Sequence, residues 1–224
     1  MTSPDILAGT APDPLDYERD PEAIYRQSFA TVRSEAALDR FDPAMQQVVV
    51  RLIHSCGLPS IAGDVAFSPD AVAAGVAALQ AGRPVLTDVQ MVRFGIIGRM
   101  LEQAGGSAVH CLLDHPEVPA RAKAIGNTRS AAAVEFWRPM VQDAVVVIGN
   151  APTALFHLLE LLDSGWPKPA LILGFPVGFV GAAESKAELA QNPRGVPFMV
   201  LQGRLGGSAI AAAAVNALAG LAAR

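Results

Sequence analysis

Between Val145 and Gly181 the chain reads VVVIGNAPTALFHLLELLDSGWPKPALILGFPVGFVG, and few folds accept that order of signals. Four apolar β-branched residues in a row, 145–148, predict a strand covered on both faces; an alternating pattern would mark a half-buried one. Gly149 and Asn150 interrupt it. Pro152 then suits the first turn of a helix, where its missing N–H leaves no bond unmade. Leu155, Leu158, Leu159 and Leu162 recur at helical spacing, and Gly165 with Pro167 ends the run. A second apolar strand is predicted over 170–175, leading into the turn Gly174-Phe-Pro-Val-Gly178-Phe-Val-Gly181. Strand, loop, helix, strand, loop is a βαβ unit. Its two loops share the carboxyl edge of a parallel sheet, the edge where such sheets bind ligands.

The remaining segments extend this unit. Residues 24–41 predict a helix with the interrupted apolar stripe Ile24, Phe29, Val32 and Leu38; by pattern alone its Ser28 and Arg33 are surface residues. Pro43 opens a second helix, 44–56, which buries Met45, Val48, Val49, Leu52 and Ile53 and stops at Gly57. Strands are predicted over 65–67, 85–87, 109–113 and 198–201, and helices over 69–80, 120–140 and 208–223. Asp88 is expected to cap a helix that begins near Val89. About six strands interleaved with helices make a three-layer α/β/α fold around a mainly parallel, Rossmann-like sheet. The 224 residues suit one core, assigned to a single domain over 17–224. Residues 1–16, where Pro and Asp recur, read as a flexible N-terminal extension.

Charge and cysteine content narrow the partners. A net charge of −4, with no basic or aromatic-studded run, argues against nucleic acid. Cys56 and Cys111 form no disulfide framework, which fits a reducing cytoplasm. The alanine-rich tail over 208–223 is short, weakly apolar and broken by Asn216, so a packed helix is expected rather than a membrane span. The acidic, proline-bearing N-terminus lacks the pattern of a secretory leader.

Nucleotide chemistry finds no support. Glycines 174, 178 and 181 are spaced GxxxGxxG instead of GxGxxG, and glycines 203, 206 and 207 lack the Lys-Ser/Thr of a phosphate loop. No GxSxG elbow is present for a serine hydrolase. The cluster His110, Cys111, Asp114, His115 reads as core plus turn, because consecutive strand residues face opposite sides and cannot easily share one ion. No metal and no cofactor are expected.

What remains is a set of Gly/Asn/Pro loops, scattered arginines and His54. In the last turn of its helix, a histidine has a structural reading as a cation near the carbonyl end. It also has a chemical one, since imidazole is the side chain best suited to exchange a proton near neutral pH. Cys56, two positions on, points elsewhere and is no partner for it. Arg129, in Gly126-Asn-Thr-Arg129-Ser130, is open to two readings: an anion clamp, or a salt bridge to a protein carboxylate. Glycine loops, helix starts and arginines together suit a large, flat, anionic ligand.

Six strings in fixed order add a likeness to these readings: SFATVR (28–33), HSCG (54–57), GNTRSAA (126–132), GNAPTAL (149–155), ILGFPVGFVGAAESK (172–186) and GRLGGSA (203–209). Over about 17–218 the chain resembles the precorrin-8X methylmutase family of cobalamin biosynthesis. The resemblance implies an isomerase that moves a methyl group from C-11 to C-12 of a tetrapyrrole macrocycle bearing acetate and propionate arms. Precorrin-8X would be the substrate and hydrogenobyrinic acid the product, or cobyrinic acid on a cobalt branch. The shift is intramolecular and needs no methyl donor. By motif match His54 is implied as the catalytic acid, and Ser28, Arg33, Arg129, Ser130, Asn150 and Thr153 as substrate-binding residues. The family also implies a homodimer with its site near the subunit interface, where Arg204 or the glycine loops could serve the partner's pocket. A tetrapyrrole carrier would use the same arginines without a titrating His54, and a Rossmann-like nucleotide enzyme would need the missing phosphate loop. An absorption change on incubation with the precorrin separates enzyme from carrier, and tight adenine-nucleotide binding would favour the last.

Overall fold

The computed structural model describes residues 15–224; the extension read over 1–16 lies, but for its last two residues, outside them. In chain order the elements are α1 (Pro21–Glu35), α2 (Pro43–Cys56), a 3-10 turn (Pro59–Asp64), β1 (Val65–Phe67), α3 (Ala71–Gln80), β2 (Val85–Thr87), α4 (Gln90–Gly95), α5 (Gly98–Ala104), β3 (Val109–Cys111), α6 (Val118–Ile125), α7 (Arg129–Glu135), β4 (Val145–Ile148), α8 (Pro152–Asp163), β5 (Leu171–Gly174), α9 (Ala182–Gln191), β6 (Phe198–Leu201) and α10 (Ser208–Ala222). The six strands form one sheet in the order β1-β6-β5-β4-β2-β3. Every pair is parallel except β1 with β6, which is antiparallel.

Alternation along the strands divides the core into two layers. Val145, Val147, Leu171, Leu173, Met199 and Leu201 face a layer built from α1 to α5 and α10. Val146, Ile148, Ile172, Phe198 and Val200 face the opposite layer of α7, α8 and α9. All four residues of β4 have no exposed surface, as a strand covered on both sides requires. This is the expected three-layer α/β/α arrangement.

The alanine-rich tail is the central helix of its layer. α10 packs against α2, α3, α4 and α5 as well as β4 and β5, and a helix apolar on all sides belongs in such a place. Asn216, the residue that breaks its apolar run, accepts the N–H of Ile97 at 2.8 Å and donates to the carbonyl of Gly95 at 3.0 Å. It satisfies the backbone where α4 gives way to α5. No helix among the described residues is long and apolar enough to cross a membrane.

Beyond shifts of one or two residues at the ends of α2, α3, β3, β5 and α10, three features differ from the sequence reading. The first helix ends at Glu35 rather than 41; Leu38 is buried as predicted, but from the connecting loop, where Phe41 is buried with it, while Ile24 of the expected stripe is exposed. The helix expected over 120–140 is two helices, because Gly126 closes α6 in a left-handed conformation (φ 62°) and Thr128 starts α7 by accepting the N–H of Ala131. Asp88 does not cap α4: Val89 holds that position without a side-chain bond. Its carboxylate turns the other way, across the sheet.

Candidate active site

Chain order and sheet order part company beside β2. The chain passes from β2 outward to β3, then returns to the other side of β2 for β4 and continues away through β5 and β6. Crevices at such reversal points, outside the carboxyl ends of the strands, are where open α/β sheets bind ligands. Asp88 follows β2 and Gly149 follows β4, so both stand at this crevice. The Asp88 carboxylate accepts the N–H groups of Gly149 at 2.8 Å, Asn150 at 3.0 Å and Ala151 at 2.8 Å. Burial pushes its carboxyl above the usual aspartate value, and the three N–H bonds pull it part of the way back. Ala151 is the cap residue of α8, so one of these bonds ties the start of that helix and the other two hold the loop that leads into it. Gly149 is required on steric grounds: a Cβ there would stand 2.8 Å from that of Ala211 and would run into Val92.

His54 reaches the same edge from the α10 layer. α2 runs beside α10 with Asp42 near Leu221 at one end and His54 near Ala209 at the other. The two helices are therefore antiparallel, and the carboxyl end of α2 lies beside the α10 N-terminus, which follows β6. Ser28 on α1 meets His54 with Oγ 2.8 Å from Nδ1. The Phe29 and Tyr25 rings stand edge-on to the imidazole, at centroid distances of 5.2 and 6.1 Å. The ring is thus fixed through Nδ1 and by two aromatic walls, and Nε2 makes no hydrogen bond to any described residue. Cys56 bonds only to the Ile53 carbonyl, consistent with its exclusion as a partner.

The opposite layer supplies a second group. Thr153, at the start of α8, shares a hydrogen bond of 2.8 Å with Thr128, the cap of α7. The break at Gly126 therefore puts Arg129 and Ser130 in the first turn of α7, beside Thr153. Arg129 is exposed, 3.4 Å from the Leu113 carbonyl and 3.7 Å from an Asp114 oxygen. The other Asp114 oxygen accepts from Gln90 of α4 at 3.1 Å. Asn150 is exposed, its backbone held by Asp88.

The residues named from sequence therefore fall into three groups. Ser28 and His54 are in contact. Arg129, Ser130, Thr153 and Asn150 gather on the other side of the crevice. Arg33 joins neither, lining a groove with Arg51 and Arg224. Two cavities open at His54, one of about 490 Å³ against Ser28 and the other of about 440 Å³ along α10, and neither reaches the second group. Sequence reading missed Asp88, whose partners are more than sixty residues away, and Tyr25 and Phe29. It also missed Arg51, for which the i, i+3 spacing from His54 was an available signal.

The family model for precorrin-8X methylmutase (CbiC) matches residues 23–221. The chain is 58% identical over 205 residues to the precorrin-8X methylmutase of Pseudomonas aeruginosa, covering 92% of this chain and 98% of that one. It is 54% identical over 204 residues to the Sinorhizobium precorrin-8X methylmutase, covering 91% and 96%. With the cobalt-precorrin-8 methylmutase of Priestia megaterium it shares 37% over 202 residues, covering 90% and 88%. The crystal structure of precorrin-8x methyl mutase from Thermus thermophilus superposes with a TM-score of 0.82 at 42% identity, covering 90% of this chain and 96% of that one.

Proposed function

The chain belongs to the precorrin-8X methylmutase family, and from that premise we propose that it isomerises precorrin-8X to hydrogenobyrinic acid with His54 as the acid. The observation that carries the residue assignment is the Ser28–His54 pair at the carboxyl edge of the sheet. An imidazole tethered through Nδ1 presents Nε2 in a fixed direction, as a group must that lends a proton to the macrocycle and takes it back. Protonation next to the migrating methyl lowers the barrier, the methyl moves from C-11 to C-12 within the same molecule, and the proton returns to His54. Ser28 orients the ring in addition to its expected contact with substrate. Arg129, Ser130, Asn150 and Thr153 form the opposite lip, where Arg129 takes a carboxylate arm bidentately. The higher identity to relatives named for the metal-free substrate supports precorrin-8X over its cobalt form.

The exposed apolar residues supply the reason to propose a homodimer. Phe94, Phe179 and Val180 are 79%, 85% and 88% exposed, and all three belong to segments that follow strands at the carboxyl edge. A second subunit covering them would give a broad ligand its other wall.

Visible absorption during turnover tests the reading. His54→Ala is expected to fold, to bind hydrogenobyrinic acid, and to isomerise precorrin-8X more slowly by roughly a hundredfold or more. Unchanged turnover by the folded variant would reduce His54 to a helix-end residue. A parallel run with the cobalt substrate separates the two branches, the metal-free one being the faster.

A further inference from the structure

The two cavities that meet at His54 differ in charge. The one of about 490 Å³ is lined by Glu18 and Glu35 and by no lysine or arginine. The one of about 440 Å³ is lined by Arg51 and by no carboxylate. Arg51 also lines a third cavity, of about 350 Å³, together with Arg33 and Arg224, again without an Asp or Glu side chain. Tyr25 and Asn216 line both arginine-bearing cavities, so they are successive parts of one trough along the seam between α2 and α10.

The guanidinium groups of Arg33, Arg51 and Arg224 make no salt bridge and no hydrogen bond with any described residue. Arg194, by contrast, reaches Asp163 at 2.9 Å and Glu188 at 2.7 Å. Arg51 is half-buried, with the Tyr25 ring 5.8 Å from its Cζ. Arg33 and Arg51 thus line one trough with no Asp or Glu side chain to pair with, a setting that suits an anion. Arg51 stands three residues before His54 on α2, an axial rise of about 4.5 Å. A carboxylate held by Arg51 is therefore one short side-chain arm away from an atom at the imidazole.

Resting on the reading of the ligand as a macrocycle with carboxylate arms, we infer that Arg51, with Arg33 beside it, binds one of those arms. That arm then lies along the α2–α10 seam, while the macrocycle itself stays at the carboxyl edge against His54 and Ser28 and sends no arm into the acid-lined cavity. A guanidinium fork matches a carboxylate bidentately and rejects its neutral ester.

The test is a visible-absorption titration of hydrogenobyrinic acid into wild type, Arg51→Met, Arg51→Lys and Glu35→Gln, each checked by circular dichroism. Arg51→Met should raise Kd by roughly ten- to a hundredfold. Arg51→Lys should recover part of that loss, and Glu35→Gln should bind as wild type or more tightly. The methyl-esterified product should bind wild type less well than the free acid and lose less further affinity on Arg51→Met, a readout independent of how the variants fold. Equal Kd for wild type and Arg51→Met overturns the inference while leaving the methylmutase reading intact; failure of wild type to bind the corrinoid overturns that reading itself. A free-anion site is excluded by the same set. If inorganic phosphate raised the Tm of wild type but not of Arg51→Met while both bound corrinoid equally, the arm assignment would be wrong.

Discussion

Lys186 has no solvent-exposed surface, and its ammonium makes one hydrogen bond, to the carbonyl of Leu205 at 2.5 Å. Burial lowers its pKa from 10.5 to about 8. No salt bridge to any described residue offsets that burial, and desolvation alone accounts for the shift. The bond pins the turn between β6 and α10, where Gly206 passes so close to the carbonyls of Phe175 and Pro176 that no Cβ would fit. The sign of the pH effect follows from the direction of the shift. A folded pKa below the unfolded one contributes stability that is complete above about 10.5 and lost as pH falls to about 8. Wild type is therefore expected to gain stability relative to Lys186→Met between pH 8 and 10.5. Thermal melts of both proteins across that range check it; parallel curves would show that the lysine is solvated.

The loop between β4 and α8 takes its shape from another element. Asp88, at the end of β2, accepts the N–H groups of the loop that leads from β4 into α8, and so joins the two strands at the reversal point. Asp88→Asn leaves one oxygen for three donors and turns an N–H₂ toward one of them. Loss of about 2–3 kcal/mol is expected in urea unfolding, with weaker corrinoid binding, since Asn150 and Thr153 flank the freed loop. Asp88 marks the limit of what the sequence discloses. A carboxylate just before a helix reads as its cap, and no local pattern reveals partners on a strand two places on in chain order. Buried strands and glycine stops were legible because periodicity and punctuation are local: β1, β2, β4 and β6 lie where their apolar runs predict. The pause at Gly126-Asn127-Thr128 was equally local, a helix stop followed by a helix cap. It was masked by the helix-forming alanines on either side. Of the candidate site, the motif strings named His54 and Ser28, which the structure brings into contact. Their contact belongs to two helices whose packing no spacing announces.

At the scale of the whole molecule, the two groups of proposed site residues lie in different layers, on either side of the sheet edge. His54 and Arg51 belong to the α10 layer, and Arg129 and Thr153 to the α8 layer. A ligand touching both must be broad and must lie across the ends of the strands, an open shelf with no lid among the described residues. Four exposed apolar side chains rim that shelf beyond β5 and β6: Val177, Phe179, Val180 and Leu205. Arg204 packs its guanidinium over Phe179 at 5.4 Å without hiding the ring from solvent. A twofold-related copy placed on this rim would bury it and close both shelves at once, because an isologous contact repeats every gain. Sedimentation of wild type should then show a dimer with one corrinoid bound per chain. Phe179→Asp puts a charge into the centre of the contact and should yield folded monomers. If the partner forms part of each site, those monomers should lose turnover as they lose association, and raising protein concentration should restore both together. Full activity in a monomer at assay concentration would show instead that the shelf needs no second wall.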